Sequence, residues 1–301
     1  MIAPFEYRAL WVKSVNFINK ALDPELGPDE QGFWASSALE LLGKATLAKI
    51  HPTLIADIRN NDRDRGGDSL LAAAGAIRSS GDFVSIAATT VYSRCARVVQ
   101  GFDAGRAGLV ARDRNAYVHS ASAIRVDDTW WDRFWPLVSL LLASQERHLE
   151  EYVGVDRREE IESVLARANK HAQQRLTTLI KVAKERHERL QRGEATERER
   201  ADIGTRTRVM ASYAESHRCP ACGGQGWIYG DQTLDSDYIG STTPSGDYVG
   251  FIREVATDGF ACGDCGLVLS DKSLVEHANM PLEFEIEDDE SDYLEPEYGN
   301  D

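Results

Sequence analysis

Two Cys-x-x-Cys pairs, Cys219-Pro-Ala-Cys222 and Cys262-Gly-Asp-Cys265, stand 39 residues apart, and each is followed directly by Gly. A Cys-x-x-Cys turn directs both thiolates at one ion, and the Gly after it takes the positive φ that a tight turn around a metal demands. Two such turns supply four soft sulfur ligands, the set that suits tetrahedral Zn²⁺. Four cysteines leave no open coordination position for water. The spacing therefore predicts a structural zinc that organises its surroundings and does no chemistry. A redox dithiol and unrelated core cysteines are the alternatives to metal binding. His217 and His277 lie near the pairs and are not needed as ligands. The fifth cysteine, Cys95, sits in an apolar helical pattern and reads as a small core residue. This usage fits the reducing cytoplasm better than a disulfide framework.

Both pairs resemble zinc-ribbon knuckles. The pieces "GWIYG", "YVGFIREVA", "GFAC" and "GLVLS" between and beside them read as short strands among Gly, Asp and Ser turns. A small β zinc ribbon is expected over 211–280. The acidic segment 281–301 has too few apolar residues to order itself and reads as a disordered tail.

Upstream the pattern is helical. Apolar residues recur at helical spacing over 5–22, 33–50, 82–102, 107–122 and 129–153, giving a helical domain over 1–153. Residues 59–68 read as a polar loop. Its Asp62-x-Asp64-x-Gly66 fragment lacks the closing Glu of a calcium loop. Trp130, Trp131, Phe134 and Trp135 read as a packed core face, with a base-stacking platform as the alternative. Residues 154–210 form a long charged helix, 156–193, followed by a charged linker. The helix carries an apolar stripe from Ile161 to Leu190 that packs on the helical body or on a second copy. No run of eighteen apolar residues and no leader pattern is found, so neither a membrane span nor secretion is expected.

The net charge of −15 is unevenly placed: +2 over 1–218, −7 over 219–277 and −10 over 278–301. Binding of an RNA polyanion is therefore expected on the N-terminal part. The acidic ribbon suits a protein contact or a sensing role.

Within "RDRNAYVHS" (112–120), Arg114 and Asn115 are followed by His119. About 0.6 Arg-x4-His pairs arise by chance in a chain of this composition, so the surroundings must carry the argument. The residue types suit RNA cleavage. His titrates near neutrality and serves as base or acid. Arg offers a fixed, permanently charged fork to phosphate oxygens. Asn positions the phosphate or the His. At about 100° per residue, Asn115 and His119 share a helix face, while Arg114 lies about 140° from His119. Arg114 then reaches the same phosphate only from the first turns of its helix or from across an interface. A second copy would also supply the second His that the reaction wants.

The stretch "FWASSALELLGKATLAKI" followed by "GLVARDRNAYVHS" resembles the HEPN ribonuclease superfamily, helical bundles with an Arg-x4–6-His motif and often Asn after the Arg. Glu40 and Lys44 fall where that family has its preceding helix. The resemblance covers residues 5–153 and implies Arg114, Asn115 and His119 as catalytic residues at the axis of a homodimer. It also implies a metal-independent endoribonuclease leaving 2′,3′-cyclic phosphate and 5′-OH ends, often a toxin or antiviral effector. Ala121 stands where some members carry a modified Tyr, so that mode of silencing is not expected here. Two further readings stay open: a non-catalytic helical dimer that recruits a protein through its ribbon, and a nucleic-acid-binding regulator, which the −7 of the ribbon opposes.

Overall fold

The computed structural model describes residues 5–58, 65–78, 83–121, 123–124, 126–243 and 246–289. The chain is mainly helical, with small antiparallel sheets near the C-terminus, and it separates into two compact units, 1–170 and 171–301. The division falls inside the long charged helix, where the sequence suggested a separate 154–210 segment. Asp62 and Asp64 of the calcium-like fragment lie outside the described residues.

The first unit contains α1 (Tyr7–Ala21), α2 (Pro28–Ile50), α3 (Arg65–Ala73), α4 (Ala88–Val98), α5 (Ala104–His119), α6 (Asp128–Ser144), α7 (Leu149–Val153) and the start of α8 (Arg158–Gln191). Pro28 opens α2 at its first position, where the missing N–H costs nothing, so this helix begins five residues earlier than its apolar pattern suggests. α2 packs on α1, α4, α5 and α6 and is the centre of the unit. Its inward residues are small or aliphatic, with Ala35, Ala38, Leu39, Leu42 and Ala45 fully buried. A Cβ on Gly43 would stand 2.8 Å from Val91 Cγ1, so α4 lies directly against the α2 backbone.

Trp130, Phe134 and Trp135 are buried and Trp131 is half-buried, so the aromatic cluster of α6 is core. Two helical expectations change. The 82–102 helix forms only from Ala88, because Ser85 is held extended in a bridge to Ala56. The polar stretch around 65–73 is helical.

The second unit builds on the later half of α8. It adds α9 (Glu197–Arg206), β1 (Tyr213–Arg218), β2 (Gln225–Gly230), β3 (Gln232–Thr243), β4 (Gly246–Ala256), β5 (Gly259–Ala261), β6 (Val268–Leu269), α10 (Lys272–His277) and β7 (Glu283–Asp289). One antiparallel sheet runs β1-β2-β5-β6 and a second runs β3-β4-β7. The apolar stripe of α8 serves two cores. Ile161, Val164 and Leu165 join the first, while Leu176 and Ala183 are buried in the second with the cysteines.

The tail needs correction over 283–289. β7 pairs with β4 in register from Glu283↔Ala256 to Asp289↔Gly250. Alternation explains it: Phe284 is buried and Ile286 packs beside it, so two apolar side chains on one face order a segment that is otherwise all carboxylates. Residues 290–301 lie outside the described residues. The charged linker also holds a helix, α9, started by a reciprocal capping box between Thr196 and Glu199.

Candidate active site and metal centre

The sulfurs of Cys219, Cys222, Cys262 and Cys265 all lie within 4.8 Å of one another, in position to bind a metal ion. Each knuckle closes through its backbone. Gly223 N–H donates to the Cys219 carbonyl and Gly266 N–H to that of Cys262, both at 2.9 Å. Gly223 and Gly266 adopt φ of 73° and 71°, the left-handed geometry expected of the glycine after each pair.

The donor set suits a cation. Hydrogen bonds from the Cys262 and Cys265 thiols bring Cys219 down to about 4, while contacts with Cys219 and Cys262 push Cys265 up. Four sulfurs this close cannot all ionise unless a positive ion sits among them. Burial raises the Cys95 thiol to about 12, which leaves it an inert core group. His277 is engaged with the Ser273 carbonyl at 2.6 Å.

One support of this centre has no counterpart in the sequence pattern. Arg186 of α8 donates to the carbonyls of Cys265 and Gly266 at 3.1 and 3.0 Å, which ties the helix to the second knuckle. Nothing local in the sequence connects residues about eighty positions apart.

In the first unit, α5 begins at Ala104, where Asp103 accepts from Arg106 N–H at 2.8 Å. The helix expected over 107–122 thus starts three residues earlier, with Asp103 as its cap. Arg114 stands in the third turn, not in the first, and His119 is the last helical residue.

Arg114 faces inward. Its Nη1 donates to Glu40 Oε2, and its Nε and Nη2 both donate to Asn115 Oδ1, at 3.3 and 3.0 Å. Glu40 in turn pairs with Lys44 Nζ at 2.8 Å, and Lys44 donates to Ser85 Oγ at 3.0 Å. The side chains of Glu40, Lys44 and Arg114 are only 16%, 11% and 20% exposed. Burial by itself would raise the Glu40 carboxyl, yet Lys44 and then Arg114 hold it below its ordinary value. The buried Tyr92 phenol is pushed up by burial first and by Glu40 second, and its hydroxyl has no hydrogen-bond partner among the described residues.

The outward face of α5 is different. Arg112, Asn115, Val118 and His119 are exposed, and Asn115 and His119 share a face as their spacing requires. Asp113, the one carboxylate of the helix, turns inward to accept from Trp130 Nε1 at 3.0 Å, with Arg133 at 3.8 Å. The structure therefore brings Arg114 and Asn115 together and sets His119 one turn beyond Asn115. Among the described residues His119 makes no hydrogen bond or ion pair with either.

No protein-family model, no curated protein and no solved structure matches this chain.

Proposed function

We propose that this protein is a metal-independent endoribonuclease of HEPN-like architecture, acting in the cytoplasm as a toxin-like or antiviral effector. The observation that carries the reading is the outward face of α5, where Asn115 and His119 stand exposed with no carboxylate of the helix beside them. His119 takes the proton of an RNA 2′-OH, whose oxygen attacks the adjacent phosphorus. The P–O5′ bond breaks and a second acid returns a proton to the 5′-oxygen, leaving 2′,3′-cyclic phosphate and 5′-OH ends. A homodimer across α5 supplies that second His. Gly108 favours such a contact. A helix-interior Gly costs about 1 kcal/mol relative to Ala, and a Cβ there would meet nothing within 4 Å in this chain.

The cysteine cluster holds Zn²⁺ as a structural ion, and the acidic ribbon is the docking face for a protein partner or trigger. The non-catalytic adaptor remains the second reading, and the grip of Glu40 on Arg114 favours it, because a guanidinium committed to a structural ion pair has less to offer a phosphate.

The test is cleavage of single-stranded RNA in excess EDTA by the wild type and His119→Ala. A loss of at least about 100-fold in the variant is expected, the low end of general acid–base catalysis. Equal activity in both chains, or activity only with added metal, favours the adaptor.

A further inference from the structure

We infer that the cation meeting the scissile phosphate is Arg112, in a row Arg112–Asn115–His119 along one face of α5, and that Arg114 is a positioning residue behind it. The inference rests on the nuclease reading and replaces the part in it that the sequence assigned to Arg114.

Helix geometry puts Arg112 in line. Seven residues turn through about 700°, so Arg112 and His119 lie about 20° apart around the axis and two turns along it. Asn115 sits between them, one turn from each. A phosphate seated on the Asn115 amide is flanked by the Arg112 guanidinium on one side and the His119 ring on the other.

The side chains are free for this. Arg112, Asn115 and His119 are exposed, and Arg112 has no ion pair or hydrogen bond among the described residues. The neighbouring Asp113 is committed to Trp130 and Arg133, so nothing on the helix neutralises the row. Arg114 has a different assignment. Three of its nitrogens are engaged, Nη1 by Glu40 and Nε with Nη2 by Asn115 Oδ1. Because the Asn115 oxygen accepts from Arg114, the amide NH₂ is the end of Asn115 left to donate to a phosphate oxygen. Arg114 thus sets which end of Asn115 meets the substrate. This arrangement also removes the difficulty that Arg114 and His119 point about 140° apart.

The experiment uses the full chain with a fluorescein-labelled 20-nucleotide single-stranded RNA and its non-cleavable 2′-O-methyl counterpart. Cleavage in EDTA is measured on the first, and binding across a KCl series by anisotropy on the second, for wild type, Arg112→Gln and Arg114→Gln, each with its melting temperature. Arg112→Gln is expected to lower cleavage about 100-fold. It should also flatten the slope of log K against log salt by about 0.7 for each phosphate that the side chain no longer neutralises, with the melting temperature unchanged. Arg114→Gln is expected to lower the melting temperature, leave the slope as in wild type, and slow cleavage with a weaker preference for its pH optimum. Wild-type cleavage and slope in Arg112→Gln overturn the inference, as does a flattened slope in Arg114→Gln at unchanged melting temperature. If wild type binds without cleaving, the nuclease reading falls and the two slopes alone decide which arginine meets phosphate. If wild type does not bind, both fall.

Discussion

Removing the metal from the four-cysteine cluster, or replacing Cys262 with Ser, is expected to unfold residues 171–289 while 5–170 stay folded. The second core is small, and its centre is the metal site itself: Cys219, Cys262 and Cys265 are buried among Ile228, Phe260, Leu267 and Leu269. Around it lies a sheet that repels itself. Asp235 stands opposite Glu254, and Glu254 opposite Glu285, so three carboxylates meet side by side across β3, β4 and β7. Contact with Glu283 raises Glu254 above its usual range, with Asp235 adding to the effect. A structural zinc contributes an apparent ~10 kcal/mol or more to folding at neutral pH, far above what so small a core supplies alone. Hydrogen exchange by mass spectrometry checks this directly. Protection should vanish over the strands and over the α8 residues beyond 171, whose partners Cys265 and Gly266 no longer hold Arg186. Zinc assay of the intact chain should return one ion, and none after the substitution. Retained protection in the metal-free chain would reduce the cluster to four thiols, three of them buried, with no part in folding.

The parts of this protein that the sequence announced are those written in local chemistry. The knuckles could be read because thiolate pairs and their following glycines sit within five residues of one another. The helices of the first unit could be read from their 3.6-residue period, except α3, whose polar start read as loop, and the aromatic run of α6 from its continuation at that spacing. Two further elements carry local signals of the same kind: the Thr196–Glu199 capping box that opens α9, and the Phe284–Ile286 alternation that makes β7 a strand. In both, a high charge density masks a signal carried by two residues. What no local pattern encodes is pairing across the fold. The link from Arg114 to Glu40 spans 74 positions and that from Arg186 to Cys265 spans 79. The first decides what Arg114 can reach. Periodicity placed Arg114 off the face of His119, but only the position of α2 shows what it faces instead. Arg112 was within reach of the same helical arithmetic, and its six-residue spacing from His119 also falls within the Arg-x4–6-His pattern, but the asparagine beside Arg114 drew the reading to the nearer arginine.

Replacing Glu40 with Gln is expected to destabilise the helical unit by about 3 kcal/mol, because it leaves two largely buried cations, Lys44 and Arg114, without their shared counter-ion. The pair is not wholly dry, with side chains 11% to 20% exposed, which places the effect at the lower end of what broken buried pairs cost. The acid dependence identifies the cause. Glu40 is held below its ordinary value in the folded chain by Lys44 and Arg114, against the opposing effect of burial. Its contribution is therefore complete above the unfolded carboxylate value, ~4.3, and is lost as pH falls through the lower folded value. Urea midpoints of the helical unit, followed by tryptophan fluorescence since Trp130 and Trp135 lie in its core, should fall with acid in the wild type and fall less in Glu40→Gln. The same substitution separates the two readings of α5. If Glu40 only locks Arg114 into a structural pair, its loss frees the guanidinium and RNA affinity rises while stability falls. If Arg114 works by holding Asn115 in place, stability and cleavage fall together, because the carboxylate that anchors the guanidinium also fixes the amide that meets the phosphate. A variant as stable as wild type at pH 7, with an unchanged acid slope, would mean that the ion pair contributes nothing net and that Arg114 is placed by packing alone.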